Sequence, residues 1–534
     1  MGNHVTASDA IVDGVRTLDD LITRAATRWP DKTAWIFDQT GERLTFADID
    51  RRTATLTHLL HTSGIEPGDT VGVMADNVPD FPLAWLAIAR MGATTVPLNP
   101  SYGRMDISHV VTNAGCRVVL AQDTHRARIS DLLGNLDTPP DVVDLSDLVK
   151  KTVTTTPGTA VSSAVDSPAN IQFTSGTTGT PKGCVLGHDY WIWISKTLVE
   201  DFPALSESDT VLTAQPFFYI DPQWNVTSCM LAGATLVILD GFHPSTFWQK
   251  VRDYDVTFFY CLGLMPTLLL KIPEHVDDKN HRVRAVVASA IPPTIHHQLE
   301  ARWGVKWFEA FGMTETGADI YVTPDIHAAT VGEGALGLPR PHRRAEIRRP
   351  DGTACATGEI GELFLSGPGM MREYFHNPEA TARAITDGWF ATGDLVSADD
   401  NGIIFFRGRN KDMIRRSGEN IAAVEVEAAI SHHSDVSSVA VMGVPDELRG
   451  EEVVALFVPR DASVVDNTDA TQQLVGSVRD ALVDQLAPFK IPRYWLVVAG
   501  LPRGASERVQ KNHIDIAALW PKVMDTTVKT SEGR

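Results

Sequence analysis

The hydrophobic positions of the first hundred residues alternate between helical and strand spacing. Residues 18–28 and 46–61 carry apolar side chains three and four positions apart, which predicts two helices. Residues 33–37 and 71–74 are apolar runs of strand length, and a further helix is predicted over residues 81–90. Short strands that alternate with helices in this way predict an α/β architecture with substantial parallel pairing.

The pattern changes after about residue 335. Short strand-like runs at residues 346–348, 361–366 and 403–407 are separated by glycine-rich turns. We therefore predict a β-rich subdomain over about residues 335–409.

Helices and strands mix again from about residue 410. The spacing predicts a helix at residues 422–431, strands at 436–441 and 453–458, and a helix at 471–486. The predicted fold class is therefore multidomain α/β, in which sheets packed with helices are followed by a small α+β unit.

The composition is that of an ordinary globular protein and excludes a mainly disordered chain. Of the 534 residues, 43% are hydrophobic and 21% are charged. Asp and Glu number 67 against 47 Lys and Arg, which gives a net charge of −20. Such an acidic chain has no electrostatic footprint for nucleic acid or an anionic membrane, so neither is an expected partner. An anionic substrate would need a local cationic site.

The cysteines argue against a disulfide scaffold and a structural zinc site. There are five of them, scattered along the chain, and none forms a Cys-x-x-Cys pair. No apolar run reaches the roughly 18 residues of a membrane span, and no secretory signal is visible. We expect a cytoplasmic protein without a membrane span.

One segment has the chemistry of a phosphate-binding loop. An apolar strand end runs into glycines and hydroxyl side chains that precede a lysine; the candidate residues are Thr174, Ser175, Gly176, Thr177, Thr178, Gly179 and Lys182. Glycines let backbone N–H groups approach an anion closely, while the hydroxyls and the lysine add donors and charge. It is not a Walker A loop, because Gly183 follows the lysine. A flexible Ser/Thr/Gly linker would have the same composition.

A second glycine pattern resembles a dinucleotide-binding motif and is rejected. Gly332, Gly334 and Gly337 satisfy the spacing G-x-G-x-x-G. A dinucleotide motif must open a helix, whereas Pro339 and Pro341 follow here at once. The residues therefore do not predict a Rossmann site.

Five further motifs follow in the second half of the chain. They are Phe-Gly-Met-Thr-Glu at residues 311–315, Trp-Phe-Ala-Thr-Gly-Asp at 389–394, Arg-Gly-Arg-Asn-Lys-Asp at 407–412, Ser-Gly-Glu-Asn-Ile at 417–421 and Glu-Val-Glu at 425–427. In this order and spacing, together with the loop at 173–183, they resemble the adenylate-forming superfamily, which includes acyl-CoA synthetases. The resemblance covers roughly residues 15–520. Segments 215–221 and 247–249 are most similar to the crotonobetaine/carnitine–CoA ligase branch.

This resemblance implies a domain arrangement and a reaction. The expected parts are an N-terminal domain at residues 1–409, a hinge at 410–412 around Lys411, and a small mobile domain at 413–534. The implied reaction has two steps: a carboxylic acid attacks ATP to give acyl-AMP and pyrophosphate, and the thiol of CoA then displaces AMP. Mg²⁺ is the implied cofactor.

The resemblance also carries roles to individual residues. The implied AMP-binding residues are Ser289, Ala290, Ile291, Phe311, Gly312, Met313, Thr314, Asp394 and Arg409. Among them Thr314 would meet the α-phosphate, and Asp394 would accept both ribose hydroxyls with Arg409 beside it. Glu315 would hold Mg²⁺, a hard cation that prefers oxygen ligands, and Gly418 would line the path of the CoA thiol. Taken singly, each residue could equally be an ordinary loop, turn or core residue.

The chain departs from the superfamily near its C-terminus. There the superfamily has Gly-Lys, and the lysine serves adenylation, whereas this chain has Glu507 and Arg508. Arginine keeps the charge but spreads it over a planar fork, and Glu507 adds a negative charge beside it. Loss of a preorganised donor in a transition state lowers a rate by roughly 10²–10³-fold. Lys511, close by, is not expected to substitute.

Three hypotheses for the function remain open. In the favoured one, the ligase is impaired in adenylation and makes a thioester from a preformed acyl-AMP, which a separate adenylating enzyme supplies. In the second, Arg508 partly replaces the lysine and the chain is a complete acyl-CoA ligase. In the third, both activities are lost and an adenylate-binding or acyl-binding protein remains.

Aromatic side chains are the candidates for the acyl pocket. The predicted lining residues are Tyr219, Asp221, Trp224 and Tyr260, and the further candidates are Tyr190, Trp191, Trp193, Phe258 and Phe259. Large aromatic walls suit a bulky apolar acid better than a small polar one. Plain core packing is the alternative for each of these side chains.

Overall fold

The computed structural model describes most of the 534-residue chain. The described residues are 14–158, 163–174, 181–409, 413–416, 419–446, 449–483, 485–486, 488–503 and 509–526. Several predicted site residues lie outside them, namely Ser175, Gly176, Thr177, Thr178, Gly179, Lys411, Gly418, Glu507 and Arg508.

Strands and helices alternate through the first 330 residues, as the hydrophobic spacing predicts. The strands are β1 (Thr33–Phe37), β2 (Arg43–Thr45), β3 (Thr70–Met74), β4 (Thr94–Pro97), β5 (Val118–Ala121), β6 (Asp141–Asp144), β7 (Pro168–Thr174), β8 (Lys182–Gly187), β9 (Thr210–Thr213), β10 (Thr235–Ile238), β11 (Phe258–Leu262), β12 (Ala285–Ser289), β13 (Trp307–Met313) and β14 (Gly317–Tyr321). The helices are α1 (Leu18–Arg28), α2 (Phe46–Thr62), α3 (Asp80–Arg90), α4 (Arg104–Ala114), α5 (Asp123–Leu133), α6 (Leu145–Lys151), α7 (His188–Glu200), α8 (Ile220–Ala232), α9 (Pro244–Asp253), α10 (Met265–Leu270), α11 (Pro293–Trp303) and α12 (His327–Thr330).

A six-stranded sheet holds the candidate phosphate loop at one edge. Its strand order is β6-β5-β3-β4-β7-β8, and every pairing is parallel except the antiparallel hairpin of β7 and β8. Thr174 and Lys182 are Cα partners at the open end of that hairpin. The two strands therefore bring both described ends of the predicted phosphate loop together.

A second, larger sheet joins a parallel half to an antiparallel half. The antiparallel half adds β15 (Ala335–Pro339), β16 (Arg344–Arg348), β17 (Gly361–Ser366), β18 (Ile385–Thr386), β19 (Trp389–Ala398) and β20 (Ile404–Arg409), with α13 (Pro378–Ala384) beside them. The strand order is β16-β17-β19-β20-β15-β14-β13-β12-β11-β9-β10-β1-β2, with β18 paired to β19. The strand-rich segment predicted after residue 335 is thus confirmed. The domain boundaries remain a prediction.

The main core is built around helices that are apolar on nearly every side. In α3 every residue from Phe81 to Ala89 is buried, because this helix packs against α2 and beside the six-stranded sheet. Helices α7 and α8 pack against each other, and the rings of Trp85 and Trp191 meet edge to face at 5.1 Å. The contact between α3 and α7 belongs to one large cluster of buried side chains.

The last part of the described chain is a small α+β unit with its own core. Its elements are β21 (Met413–Arg416), β22 (Glu419–Ala422), β23 (Val436–Asp446), β24 (Gly450–Pro459), β25 (Tyr494–Val497), β26 (Met524–Asp525), α14 (Ala423–Ser431), α15 (Thr468–Val483) and α16 (Ile516–Leu519). The strand order is β22-β21-β24-β25-β26, and β23 pairs with β24. Helices α14 and α15 cover one face of this sheet through a separate hydrophobic cluster.

Three absences expected from the sequence concern the described residues. Among the described helices none is both long and apolar enough to cross a membrane. The glycine pattern at residues 332–337 runs into strand β15 and opens no helix, so the rejection of a dinucleotide motif is correct. All five cysteines are free thiols.

Candidate active site

A cavity of about 310 Å³ opens beyond the C-terminal ends of β12 and β13. All four residues predicted for the acyl pocket line it, namely Tyr219, Asp221, Trp224 and Tyr260. Tyr219 and Asp221 stand at the start of α8, and the rings of Trp224 and Tyr260 meet edge to face at 5.2 Å. The aromatic residues inferred from the sequence therefore do line a cavity.

Residues predicted for the nucleotide line the same cavity. They are Thr174, Ser289, Phe311, Gly312, Met313 and Thr314. They come from the end of β7, the end of β12 and the end of β13 with the turn after it. The structure thus brings acyl and nucleotide candidates to one cavity, although their roles stay predictions.

The turn after β12 is fixed by a carboxylate that the sequence analysis did not select. Glu309 on β13 accepts hydrogen bonds from the backbone N–H groups of Ala290 and Ile291, at 2.6 and 2.8 Å. Ala290 has a φ of +66°, a left-handed conformation that is strained for alanine. Neither Ala290 nor Ile291 lines the cavity, whereas Ser289 does and shares a short hydrogen bond with the Tyr260 hydroxyl. Glu309 lies two residues before Phe311, and its position just ahead of that motif was its only signal.

Gly312 shows why that motif carries a glycine. A Cβ atom at this position would lie 2.0 Å from the carbonyl oxygen of Gly317 on the neighbouring strand. The pairing of β13 with β14 shifts register here, which brings the two backbones together. Any larger residue would push apart the strands that hold the cavity wall.

Glu315 sits in a buried cluster of opposite charge. The Tyr374 hydroxyl donates to its Oε1 at 2.9 Å, and the Lys182 ammonium lies 4.9 Å from the centre of the Tyr374 ring. Burial raises the pKa of Glu315, and the positive charges of Arg409 and Lys182 oppose that rise. A carboxylate oxygen is the donor type that Mg²⁺ prefers. Sequence reasoning missed Tyr374.

Asp394 and Arg409 meet as the resemblance implies. They are Cα partners on the antiparallel strands β19 and β20, and Arg409 Nε lies 2.8 Å from Asp394 Oδ1. The Asp394 side chain is fully buried, while that of Arg409 is 35% exposed. Because Arg409 also acts on the pKa of Glu315, its charge connects this ion pair to the Lys182 cluster.

The described residues on either side of Arg508 pair with each other. Arg503 and Val509 make an antiparallel bridge, and the N–H of Gln510 donates to the carbonyl of Pro502 at 2.8 Å. Lys511 begins a short 3₁₀ turn and lies 2.7 Å from a carboxylate oxygen of Glu427 on α14. Lys511 is therefore already paired.

Several of the additional aromatic candidates pack in the core instead. Tyr190 and Trp191 are fully buried in the main cluster, and Phe259 is buried on another face of the large sheet. Trp193 stacks on His342 at 5.3 Å, and only Phe258 of this group lines the cavity. Phe258 and Phe259 alternate along strand β11, so one faces the cavity and the other does not.

A second group of metal-ligand types occurs in the described part of the chain, at His296, Glu300 and His327. Its hydrogen bonds are satisfied without an ion. His327 Nε2 lies 2.7 Å from Glu300, and His296 Nε2 lies 2.8 Å from the carbonyl of Trp307. The N–H of Gly332 faces His296 Nδ1, which leaves the proton on Nε2. We therefore interpret this group as a structural link between α11, β13 and α12.

Comparison with known proteins agrees with this geometry. The sequence profile described as AMP-binding enzyme matches residues 22–375, and the profile of the AMP-binding enzyme C-terminal domain matches residues 425–508. The chain is 30% identical to crotonobetaine/carnitine–CoA ligase of Proteus mirabilis (strain HI4320), over 93% of this chain and 97% of that protein. It is 31% identical to sulfoacetate–CoA ligase of Cupriavidus necator (strain H16), over 93% and 96%.

A solved structure supports the same conclusion. ATP-bound MatB from Rhodopseudomonas palustris superimposes with a TM-score of 0.81 at 26% identity, covering 93% of this chain and 98% of that one. The AMP-binding enzyme profile, at residues 22–375, includes the strands that hold the cavity and the Glu315 cluster. The chain belongs to the AMP-binding enzyme family, as an acyl-CoA ligase of the adenylate-forming superfamily.

Proposed function

We propose that this acyl-CoA ligase is impaired in adenylation and acts mainly in the second step, the transfer of a bulky apolar acyl group from AMP to CoA. The observation that carries the proposal is Glu507-Arg508 where the superfamily has Gly-Lys. Adenylation forms a bond between a carboxylate oxygen and the α-phosphorus of ATP, and pyrophosphate leaves. A compact ammonium placed between those two anions favours this step more than a planar guanidinium beside a carboxylate does.

The contact of Lys511 supports this proposal. Lys511 is the obvious candidate to replace the missing ammonium, because it lies three residues after Arg508. Its ammonium lies 2.7 Å from Glu427 and is about four-fifths buried. Release of this lysine toward a phosphate would break its ion pair with the partly buried Glu427, which also accepts the N–H of Val441, so the exchange is unfavourable.

The second step needs different groups. The CoA sulfur attacks the acyl carbonyl carbon, the bond to the phosphate oxygen breaks, and AMP leaves with the electron pair. Under the proposal Thr314 binds the α-phosphate, Asp394 binds the ribose hydroxyls with Arg409 beside it, and Gly418 lines the path of the thiol. None of these roles involves Arg508.

The ATP-binding groups favour a second candidate function, that of a complete ligase. Lys182, Tyr374 and Glu315 form the cluster described above, and the Glu315 carboxylate in it is a ligand type that fits Mg²⁺. Glu315 would hold that ion, which neutralises phosphate charge when it is bound. A chain that keeps these groups retains the means to bind ATP, so adenylation would be slowed rather than abolished.

Two consequences follow from the favoured function. A separate enzyme must supply the acyl-AMP, because the chain would make it slowly. The small unit after residue 412 must also change its orientation between the two steps, and we propose residues 410–412 with Lys411 as the hinge.

The test supplies one acyl group in two forms. Purified protein receives adamantane-1-carboxylic acid with ATP, Mg²⁺ and CoA, and in a parallel reaction adamantane-1-carbonyl-AMP with CoA. The proposal expects thioester from the adenylate and little from the free acid. Equal yields from both would support the complete ligase. If neither reaction gives thioester, although the protein binds AMP, loss of both activities is supported.

A further inference from the structure

An ion pair between Asp319 and Arg343 lies behind the turn that carries Glu315. Asp319 is on strand β14, and Arg343 directly precedes strand β16. Arg343 Nε lies 2.7 Å from Asp319 Oδ1, and the two side chains are 1% and 0% exposed. Because both charges must leave water, such a pair often stabilises a fold no better than apolar side chains of similar volume. Stability alone therefore does not account for this pair.

The pair has no direct access to the reacting groups. Neither Asp319 nor Arg343 is among the described residues that line the cavity, although Arg340, three residues before Arg343, does line it. Any effect of the pair on nucleotide binding must therefore pass through another residue.

Both members of the pair hold the residue that follows Glu315. The NH2 group of Arg343 donates to the carbonyl of Thr316 at 2.7 Å. The hydroxyl of Thr316 donates to Oδ2 of Asp319, and Thr316 is fully buried. The backbone on one side of Glu315 is thus fixed through a carbonyl and through a side chain.

Arg343 also holds the segment that contacts Glu315 itself. Its NH1 group donates to the carbonyl of Pro368 at 3.1 Å. From the same segment, the N–H of Met371 donates to the carbonyl of Glu315 at 2.7 Å, and the hydroxyl of Tyr374 donates to Glu315 Oε1 at 2.9 Å. One guanidinium therefore links the two segments that fix the backbone and the carboxylate of Glu315.

We infer that Arg343, paired with Asp319, is a positioning residue that orients the Glu315 carboxylate toward the Mg²⁺ that accompanies ATP. This inference rests on the proposed function in one respect, the role of Glu315 as a ligand of that ion. Loss of the outer partners that orient a metal ligand lowers metal affinity by about 10–100-fold. AMP lacks the β- and γ-phosphates whose charge the ion neutralises, so AMP affinity should depend little on the pair.

The main test variant removes both charges at once. Asp319→Asn combined with Arg343→Met leaves no buried charge unpaired, and the asparagine keeps an acceptor for the Thr316 hydroxyl. The donors to Thr316 and Pro368 are lost. Arg343→Lys is the second variant: it keeps a cation opposite Asp319, but one ammonium cannot replace the planar fork that reaches that carboxylate and both carbonyls.

A second buried ion pair provides the matched control. Arg302 Nε lies 2.8 Å from Asp278, the two side chains are 7% and 10% exposed, and the guanidinium donates to three carbonyl groups of residues 270–273. None of these groups belongs to the two segments that hold Glu315. Asp278→Asn with Arg302→Met is therefore the same chemical change at another place. Glu315→Gln serves as the reference for loss of the ligand.

Calorimetry measures the affinity for ATP in excess Mg²⁺ and in EDTA, and the ratio of the two is the Mg²⁺ gain. Neither carboxylic acid nor CoA is present, so ATP is not consumed. We expect the gain to fall by about 10-fold or more in Asp319→Asn/Arg343→Met and in Glu315→Gln, and by a smaller factor in Arg343→Lys. The control pair should keep the wild-type gain. AMP affinity should change by less than about threefold in every variant, and thermal melting shows that each is folded.

The inference is overturned if Glu315→Gln loses the gain while the folded double variant keeps it, or if the control pair loses it equally. A loss of AMP affinity as large as that of ATP affinity also overturns it, because the pair would then only support the fold. If the double variant does not fold, an unchanged gain in Arg343→Lys overturns the inference.

Failure of the proposed function has a different signature. Thioester formation from acid and ATP as fast as from acyl-AMP would contradict that function and leave the Mg²⁺ gain of each variant unchanged. A wild-type gain in Glu315→Gln would remove the metal role of Glu315 and overturn the inference with it.

Discussion

Two short segments contain the candidate phosphate-binding groups, and we call them the first turn and the second turn. They differ in whether the lysine expected from the superfamily is present. The first lies between β7 and β8, where Thr174 faces Lys182 across a hairpin in a buried sheet. The second lies between the bridged residues Arg503 and Val509 in the small α+β unit. The first turn ends in the lysine expected for it, whereas the second contains Glu507 and Arg508.

Under the proposed function, this difference means that the two half-reactions can be lost separately. The first turn is connected to Tyr374, Glu315 and Arg409, groups suited to holding a nucleotide in either step. The second turn would serve adenylation alone. A change confined to the second turn can therefore remove one step and leave the binding of acyl-AMP intact.

The largest expected effect concerns the stability of the first region at low pH. His188, directly after β8, is fully buried and accepts the N–H of Leu18, and burial lowers its pKa to about 4. The unfolded chain protonates this histidine near pH 6.5 and the folded chain does not, so stability falls as pH drops from about 6.5 to 4. The total loss is about 3 kcal/mol.

Urea unfolding between pH 7.5 and 4.5 measures this loss. His188→Asn keeps an acceptor for Leu18 but cannot titrate, so its stability should depend less on pH than that of wild type. Half-buried His342 also has a lowered pKa and is present in both proteins, so only the difference between the two curves reports on His188. Parallel curves would contradict the prediction.

The next effect concerns the second turn itself. Arg508→Lys should raise pyrophosphate release from ATP and acid by about 100-fold, because it restores a compact ammonium, and thioester formation from acyl-AMP should hardly change. Adding Glu507→Gly should raise it further, without simple additivity. Arg503→Lys is the matched control, since that side chain binds Ser438 and should change neither rate. An unaltered rate in Arg508→Lys would favour the complete ligase.

A smaller effect is expected at the ribose. Asp394→Asn removes the charge that pairs with Arg409 and weakens the acceptor for the ribose hydroxyls. AMP affinity, measured by calorimetry, should fall by about 1.5–3 kcal/mol. The same loss should occur in wild type and in Arg508→Lys backgrounds, because Asp394 lies on strand β19, outside the second turn. Unchanged affinity would remove Asp394 from the site.

The smallest effect tests whether Lys511 takes part. Lys511→Met removes the contact with Glu427 and should lower the unfolding free energy by about 1 kcal/mol. Both half-reactions should keep their wild-type rates, once measured well below the melting temperature. A further drop in adenylation would mean that Lys511 reaches the phosphates.

Much of the fold could be predicted because its hydrophobic spacing is regular. The helix at residues 18–28 and the strand at 361–366 have the bounds that the sequence predicts. Helix α15 runs over Thr468–Val483 rather than 471–486, since residue Asn467 caps a new first turn and the chain turns at Pro488. Ends of helices depend on such local contacts, which hydrophobic spacing does not encode.

Site residues could be predicted where they belong to a sequence motif. They could not be predicted where the fold brings distant segments together. Glu315 and Asp394 stand within motifs, whereas Tyr374 and Arg340 carry no local pattern and reach the site only through strand pairing and the fold. Tyr190 and Trp191, in contrast, were candidates for the acyl pocket and do not line it. They are aromatic like the lining residues, but α7 turns them into the core, and helical register cannot be assigned without the packing partner.

We propose that this ligase is slow in adenylation and fast in thioester formation. The ratio of the two rate constants tests this proposal directly. Single-turnover rate constants are measured on one preparation of wild type, for adenylation of adamantane-1-carboxylic acid by ATP and for thioester formation from its adenylate with CoA. We expect the second constant to exceed the first by about 100-fold or more, and Arg508→Lys to bring the two close together. A ratio near one in wild type, unchanged by Arg508→Lys, would contradict it.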